Sequence, residues 1–148
     1  MSNRNKGPWS WGAALGRGTG GAVGAGAAGV AMASFGGPAG MLLGGAIGAT
    51  GGFVGGFLGY ALGYAWDDPP EVTELFGSAA LYTSVVSAVL ATVFGFLAWE
   101  RMAAHPESLI TGTFAMSALV GFISAMSRSL IDDMRASAIR KDRKYDAY

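Results

Sequence analysis

The stretch Gly40-Met-Leu-Leu-Gly44-Gly45-Ala-Ile-Gly48-Ala-Thr-Gly51-Gly52-Phe-Val-Gly55-Gly56-Phe-Leu-Gly59-Tyr-Ala-Leu-Gly63 decides the fold. Gly40, Gly44, Gly48, Gly52 and Gly56 form one unbroken row at a spacing of four, and Gly51, Gly55, Gly59 and Gly63 form a second. A step of four residues keeps each glycine on nearly the same face of a helix. The bulky residues Met41, Leu42, Leu43, Ile47, Phe53, Val54, Phe57, Leu58, Tyr60 and Leu62 fall between the rows. Each row is thus a groove without side chains, the repeated form of the GxxxG helix-packing pattern. Each glycine costs about 1 kcal/mol relative to alanine in a helix, so a segment with ten of them cannot hold a helix alone in water. In hydrocarbon the balance reverses, because unpaired backbone groups cost several kcal/mol each and enforce intrachain hydrogen bonding.

Working outward, a third row upstream, Gly12, Gly16, Gly20 and Gly24, continues through Ala28. No charged residue occurs in 18–66, in 75–99 or in 108–127. The last two runs each match the ~20 helical residues that cross a ~30 Å hydrocarbon core. The first would make a helix of about 73 Å and must fold back. Gly36-Gly37-Pro38 marks the bend, because the proline cannot continue a helix from behind. It separates Gly20–Phe35 from Ala39–Trp66.

The expectation is therefore an all-α membrane protein of about four transmembrane or membrane-inserting helices in two hairpins, packed as a glycine zipper. Its parts are a basic and aromatic N-terminal segment 1–19, a glycine-zipper hairpin 20–66 and an acidic proline loop 67–74. A second transmembrane hairpin, 75–131, and a basic C-terminal tail, 132–148, follow. The first helix is short for a span and rich in Gly and Ala, so re-entrant or interfacial placement stays open. The N-terminal segment and the C-terminal part from Arg128 onward hold nine of the ten Lys and Arg residues, Arg101 being the exception. Four spans with both ends cytoplasmic satisfy the positive-inside rule, and three do not. Trp66 and Trp99 fall at expected span ends, with Trp9 and Trp11 as further interfacial anchors. No compact apolar stretch follows the basic N-terminus, as a cleaved signal requires.

Composition agrees with membrane placement. The 148 residues are 51% hydrophobic and only 14% charged, with 25 Gly, and ten cationic residues balance ten acidic ones. That balance offers no basic surface for nucleic acid. Without cysteine there is no thiol chemistry and no disulfide framework.

The chemistry-bearing motifs are few. Two GxGxxG matches, Gly16–Gly21 and Gly24–Gly29, have no preceding strand and no acidic residue before Asp67, so they do not make a dinucleotide site. His105, the single histidine, stands near Glu100, Arg101 and Glu107, as a solvated loop residue commonly does. Asp67, Asp68, Glu71 and Glu74 surround Pro69-Pro70; such acids attract cations when they ring a pore mouth, and end helices when they do not. Arg128 and Asp132 are one turn apart near the end of the last span and pair at the interface. No catalytic triad, metal-ligand cluster or cofactor motif is visible, and the expectation is a non-enzyme without metal or cofactor.

The rows Gly40–Gly56 and Gly51–Gly63 resemble those of glycine-zipper membrane proteins. Within that group the chain is similar to small pore-forming bacterial toxins, in particular the pore-forming effectors of type VI secretion. That resemblance, over residues 12–66, implies insertion into a target cell's inner membrane, homo-oligomerisation and loss of ion gradients. It also implies an immunity protein in the producer and a carrier or chaperone during delivery. Phage holins share the short polytopic plan and charged tail. A translocase family that repeats GxxxG carries an element like Arg128-xxx-Asp132, but its upstream small-residue spacing is absent. On this expectation the nine glycines of the two rows carry assembly, and the four acids bias the mouth toward cations. A second reading, from a different class, is a non-conducting scaffold or accessory subunit of a larger membrane complex.

Overall fold

The structure is a computed structural model and describes residues 9–66, 76–104 and 109–145. Four α-helices follow one another: α1 (Trp11–Met32), α2 (Gly37–Trp66), α3 (Phe76–Ala104) and α4 (Leu109–Tyr145). The chain folds back where the glycine–proline triplet stands. A 3₁₀ turn, Ala33–Gly36, tightens the end of α1, and Gly37 takes φ +66° and ψ −164°, a region open to glycine alone. Pro38 then occupies the first turn of α2, where its missing N–H is no loss.

α1 begins nine residues earlier than the apolar run indicated. Ser10 is its N-cap, and the Ala13 N–H donates to Ser10 Oγ at 3.2 Å. Residues 11–19 are therefore helical and not a separate segment. At the other end, α4 runs without a break from Leu109 to Tyr145, so the basic tail continues the last helix.

Among the described residues three helices are long and apolar enough to cross a membrane: Gly37–Ala65, Phe76–Ala98 and Leu109–Asp132. α1 is not among them. It holds eight Gly, seven Ala and one Arg, too little apolar bulk for a span. Many of the large apolar side chains of all four helices are exposed. Leu42 is 75% exposed, and Phe96 and Leu97 are each 74% exposed. The largest fully buried side chains are Val120, Thr83, Ser87 and Ser124. Small and polar groups inside with bulky apolar groups outside is the reverse of a water-soluble core, and it suits a lipid solvent.

The helices do not form two self-contained hairpins. α1 lies antiparallel to α2 and parallel to α3, while α4 lies parallel to α2. α3 packs mainly on α1, α4 mainly on α2, and the direct contact between α3 and α4 is lighter.

Close approach of backbone explains the arrangement. A methyl group added at Gly48 would lie 2.5 Å from the Ala25 carbonyl oxygen. One at Gly44 would meet the Gly29 carbonyl at 2.5 Å, and one at Gly40 the Ala33 carbonyl at 2.6 Å. Gly52 and Gly56 meet the carbonyls of Gly21 and Arg17. The other row turns to α4: Gly51, Gly59 and Gly63 approach Phe114 O, Phe122 O and Ser129 Oγ, each at 2.7 Å, and Gly55 meets Ala118 O. The upstream row turns to α3, where Gly16 approaches Phe76 O at 2.7 Å and Gly20 and Gly24 meet Ala80 and Ser84. Each row therefore has its counterpart within one chain.

Candidate functional site

The chemistry concentrates at one end of the bundle, where the start of α1 meets the ends of α2 and α4 and the start of α3. Arg17 is 2% exposed. It stands between Gly16, whose Cβ direction faces α3 at Phe76 and Ala79, and Gly18, whose Cβ direction faces Phe53 of α2. Its Nη1 donates to the Ala125 carbonyl at 2.9 Å and to Ser129 Oγ at 2.6 Å. Its Nη2 lies 3.6 Å from Asp132 Oδ2. Arg128 Nε reaches the same carboxylate oxygen at 3.3 Å. Asp132 thus bridges two guanidinium groups, one from its own helix and one from α1.

Aromatic rings close the sides of this network. The Arg17 guanidinium lies 5.1 Å from the centre of the Tyr60 ring, and that of Arg128 lies 5.2 Å from Tyr82. Both are within cation–π range. The Tyr60 hydroxyl accepts from the Ser10 N–H at 3.1 Å, which ties the start of α1 to α2. Trp9 packs edge-on against Tyr60 and Tyr64, with ring centres 4.8 and 5.2 Å away. A belt of Trp and Tyr beside snorkelling Arg is what a membrane–water boundary accommodates.

The reason for so many partners is energetic. An unpaired Arg on a helix in the bilayer costs roughly 2.5–3.5 kcal/mol at the helix centre, less toward an end. Each hydrogen bond to a charged group returns about 1.5–3 kcal/mol. α4 offsets the burial of Arg17 by presenting a carbonyl, a hydroxyl and a carboxylate together.

A second polar seam runs between α3 and α4. Ser87 Oγ and Ser124 Oγ are 2.7 Å apart, both fully buried, and Ser124 Oγ donates to the Gly121 carbonyl at 2.9 Å. Tyr82 and Ser127 share a hydrogen bond of 3.1 Å. Thr83 donates to its own helix at Ala79 O, 2.7 Å. Outside the bundle, an open apolar groove of about 440 Å³ lies between α2 and α4, lined by Ala46, Ile47, Thr50, Ile110, Thr111 and Phe114.

The residues singled out in the sequence fare unequally. All nine glycines of the two rows stand at contacts between helices of the same chain. The pair Arg128–Asp132 is present, and Arg17 joins it. Asp67, Asp68, Glu71, Glu74, His105 and Glu107 lie outside the described residues. Among the described residues no group of three or more His, Asp or Glu converges as a metal site would require. In the sequence Arg17 reads as one of the flanking cations of the N-terminal segment, while the row Gly12–Gly24, which runs past it, is the signal that it lies inside a helix.

No family model, curated protein or solved structure matches this chain.

Proposed function

We propose that the chain is a membrane-inserting, pore-forming protein that dissipates ion gradients across a bacterial inner membrane. The observation that carries this reading is the inverted polarity of the bundle. Arg17, Thr83, Ser87, Ser117 and Ser124 are buried while many of the large apolar side chains are exposed. A bundle of this kind separates readily along its polar seam, and the parted faces then offer hydroxyls and charges to water. Several copies together would line a path with those groups. The glycine rows serve assembly by exchange. A contact of Gly52 on Gly21 is backbone on backbone, so α1 of a second copy satisfies α2 as well as the chain's own α1 does. The acids Asp67, Asp68, Glu71 and Glu74 then gather cations at the mouth. Delivery from a producing cell requires a carrier for the apolar surface and an immunity protein at home.

A second reading rests on a separate observation. All three glycine rows find counterparts within one chain, which leaves none free for a neighbour. That favours a non-conducting scaffold in a larger membrane complex.

Liposome leakage separates the two. Purified protein at rising protein-to-lipid ratio should release dye and ions, and Gly48→Leu with Gly52→Leu should abolish release. Gly112→Leu, at a position with open space beside it, should leave release intact. Insertion without leakage at any ratio sinks the pore reading and directs attention to co-purifying subunits.

A further inference from the structure

We infer that α1 is a conditional fourth span, held in the bundle by the ion pair of Arg17 with Asp132 and admitted only once α4 is in place. This does not depend on whether the protein conducts. α1 is the helix least able to insert by its own composition, and it is the most enclosed. Half of its residues are buried, against 22–28% of the apolar window in each of the other three. Its neighbours are α2 on one side, α3 on another and α4 at the Arg17 end. It sits in protein where the others face outward.

α4 supplies Arg17 with two hydrogen-bond acceptors, Ala125 O and Ser129 Oγ, and with the carboxylate of Asp132. Residues 125–132 are made after α1, α2 and α3. Until they arrive, Arg17 lacks these three acceptors, and α1 has neither the apolar bulk nor the neutral character to stay in the bilayer without them. The helix directions make the consequence visible from outside. α1 runs antiparallel to α2, so its insertion carries the N-terminus to the side on which α4 ends. With α1 left out, the N-terminus remains at the start of α2, on the opposite side. The lock therefore decides on which face of the membrane the N-terminus emerges.

The chain contains no cysteine, so single thiols report sidedness cleanly. Ser2→Cys and Ala147→Cys would be made separately in the full-length protein and probed in oriented membrane vesicles with an impermeant maleimide. In the native background both thiols should label from the same side. Asp132→Leu should move most of the label at position 2 to the other side, while position 147 keeps its side and so reports that α4 is still correctly inserted. Arg17→Leu combined with Asp132→Leu should restore the native pattern, because the charge that needed a partner is gone. The inference is overturned if the native thiols label from opposite sides. It is overturned equally if Asp132→Leu changes nothing, or if the double variant fails to restore sidedness.

Discussion

Arg17 of α1 and Asp132 of α4 face each other at 3.6 Å with side chains 3% and 16% exposed, and Arg128 grips the same carboxylate from the other side. A bridged pair this enclosed is expensive to half-dismantle. Removing one partner of a buried pair costs about 3–5 kcal/mol, because the remaining charge loses its compensation. Replacing both by apolar groups is often close to neutral.

Asp132→Asn should therefore destabilise the bundle by about 3 kcal/mol. Arg17→Met with Asp132→Met should cost clearly less than the two single changes added together. Unfolding in mixed micelles of mild detergent and dodecyl sulfate measures all four corners of the cycle. Strict additivity would show that the two side chains act independently.

Gly52 and Gly112 give opposite expectations for the same substitution. A methyl group at Gly52 runs into the backbone of Gly21 and the Ala25 side chain, whereas one at Gly112 meets nothing within 4 Å. Gly52→Ala should cost about 1–3 kcal/mol from forced separation of α1 and α2. Gly112→Ala should gain up to about 1 kcal/mol from helix propensity alone. The same micelle titration tests both, and a gain at Gly52 would mean that α1 and α2 are not in backbone contact.

The contrast between these positions shows how far the sequence could be read. Apolar length marks the segments that become α2, α3 and α4, whereas the expected fourth span, α1, is not among the helices long and apolar enough to cross a membrane, and spacing places the glycines on common helix faces. What spacing could not supply was the opposite wall of each groove. The row Gly40–Gly56 meets the glycine-rich α1, but the partners of the other two rows are ordinary residues, such as Ala118 and Phe122 on α4 or Ala80 and Ser84 on α3, which carry no signature of their own. Arg17 was hidden for a related reason. A charge beside an apolar run reads as a flank, and only its distant counterpart at Asp132 turns it into an interior residue. The two-hairpin plan fails at its second half: α1 and α2, neighbours in sequence, do pack on each other, whereas α3 and α4 are not each other's main neighbours. Here α3 chose α1, and α4 chose α2, because that is where the glycines let backbones meet.

Ser87 and Ser124 carry the closest polar contact between α3 and α4, at 2.7 Å. Either hydroxyl can donate across the seam, and the Gly121 carbonyl is a second acceptor within reach of Ser124 Oγ. Interhelical hydrogen bonds in membranes average about 0.6 kcal/mol, with an upper value near 1.7. Ser87→Ala should lower stability by about that average. If the pore reading holds, it should also raise leakage, because the seam that opens is held less firmly. Stability and dye release measured on the same preparation check the pair of outcomes, and lower stability with unchanged release would place the opening elsewhere.

The turn between α1 and α2 depends on one residue. Gly37 has φ +66° and ψ −164°, while its neighbour Gly36 has ordinary backbone angles and open space around it. A side chain at Gly37 would enter a region that only glycine tolerates, at a cost of about 1–3 kcal/mol. Gly36→Ala should cost little, since neither its backbone nor its surroundings forbid a methyl group. The loss at Gly37→Ala has a geometric cause: with φ forced negative, Pro38 no longer starts α2 in a direction that brings Gly40 and Gly44 back onto Ala33 and Gly29. The damage should therefore appear first at the closed end of the α1–α2 pair and leave the Arg17–Asp132 end intact. Hydrogen exchange resolved by peptide measures this directly. Faster exchange in 28–45 for Gly37→Ala, with 12–18 and 125–132 unchanged, is the expected result; uniform acceleration across α1 would mean that the turn and the charged lock form one cooperative unit.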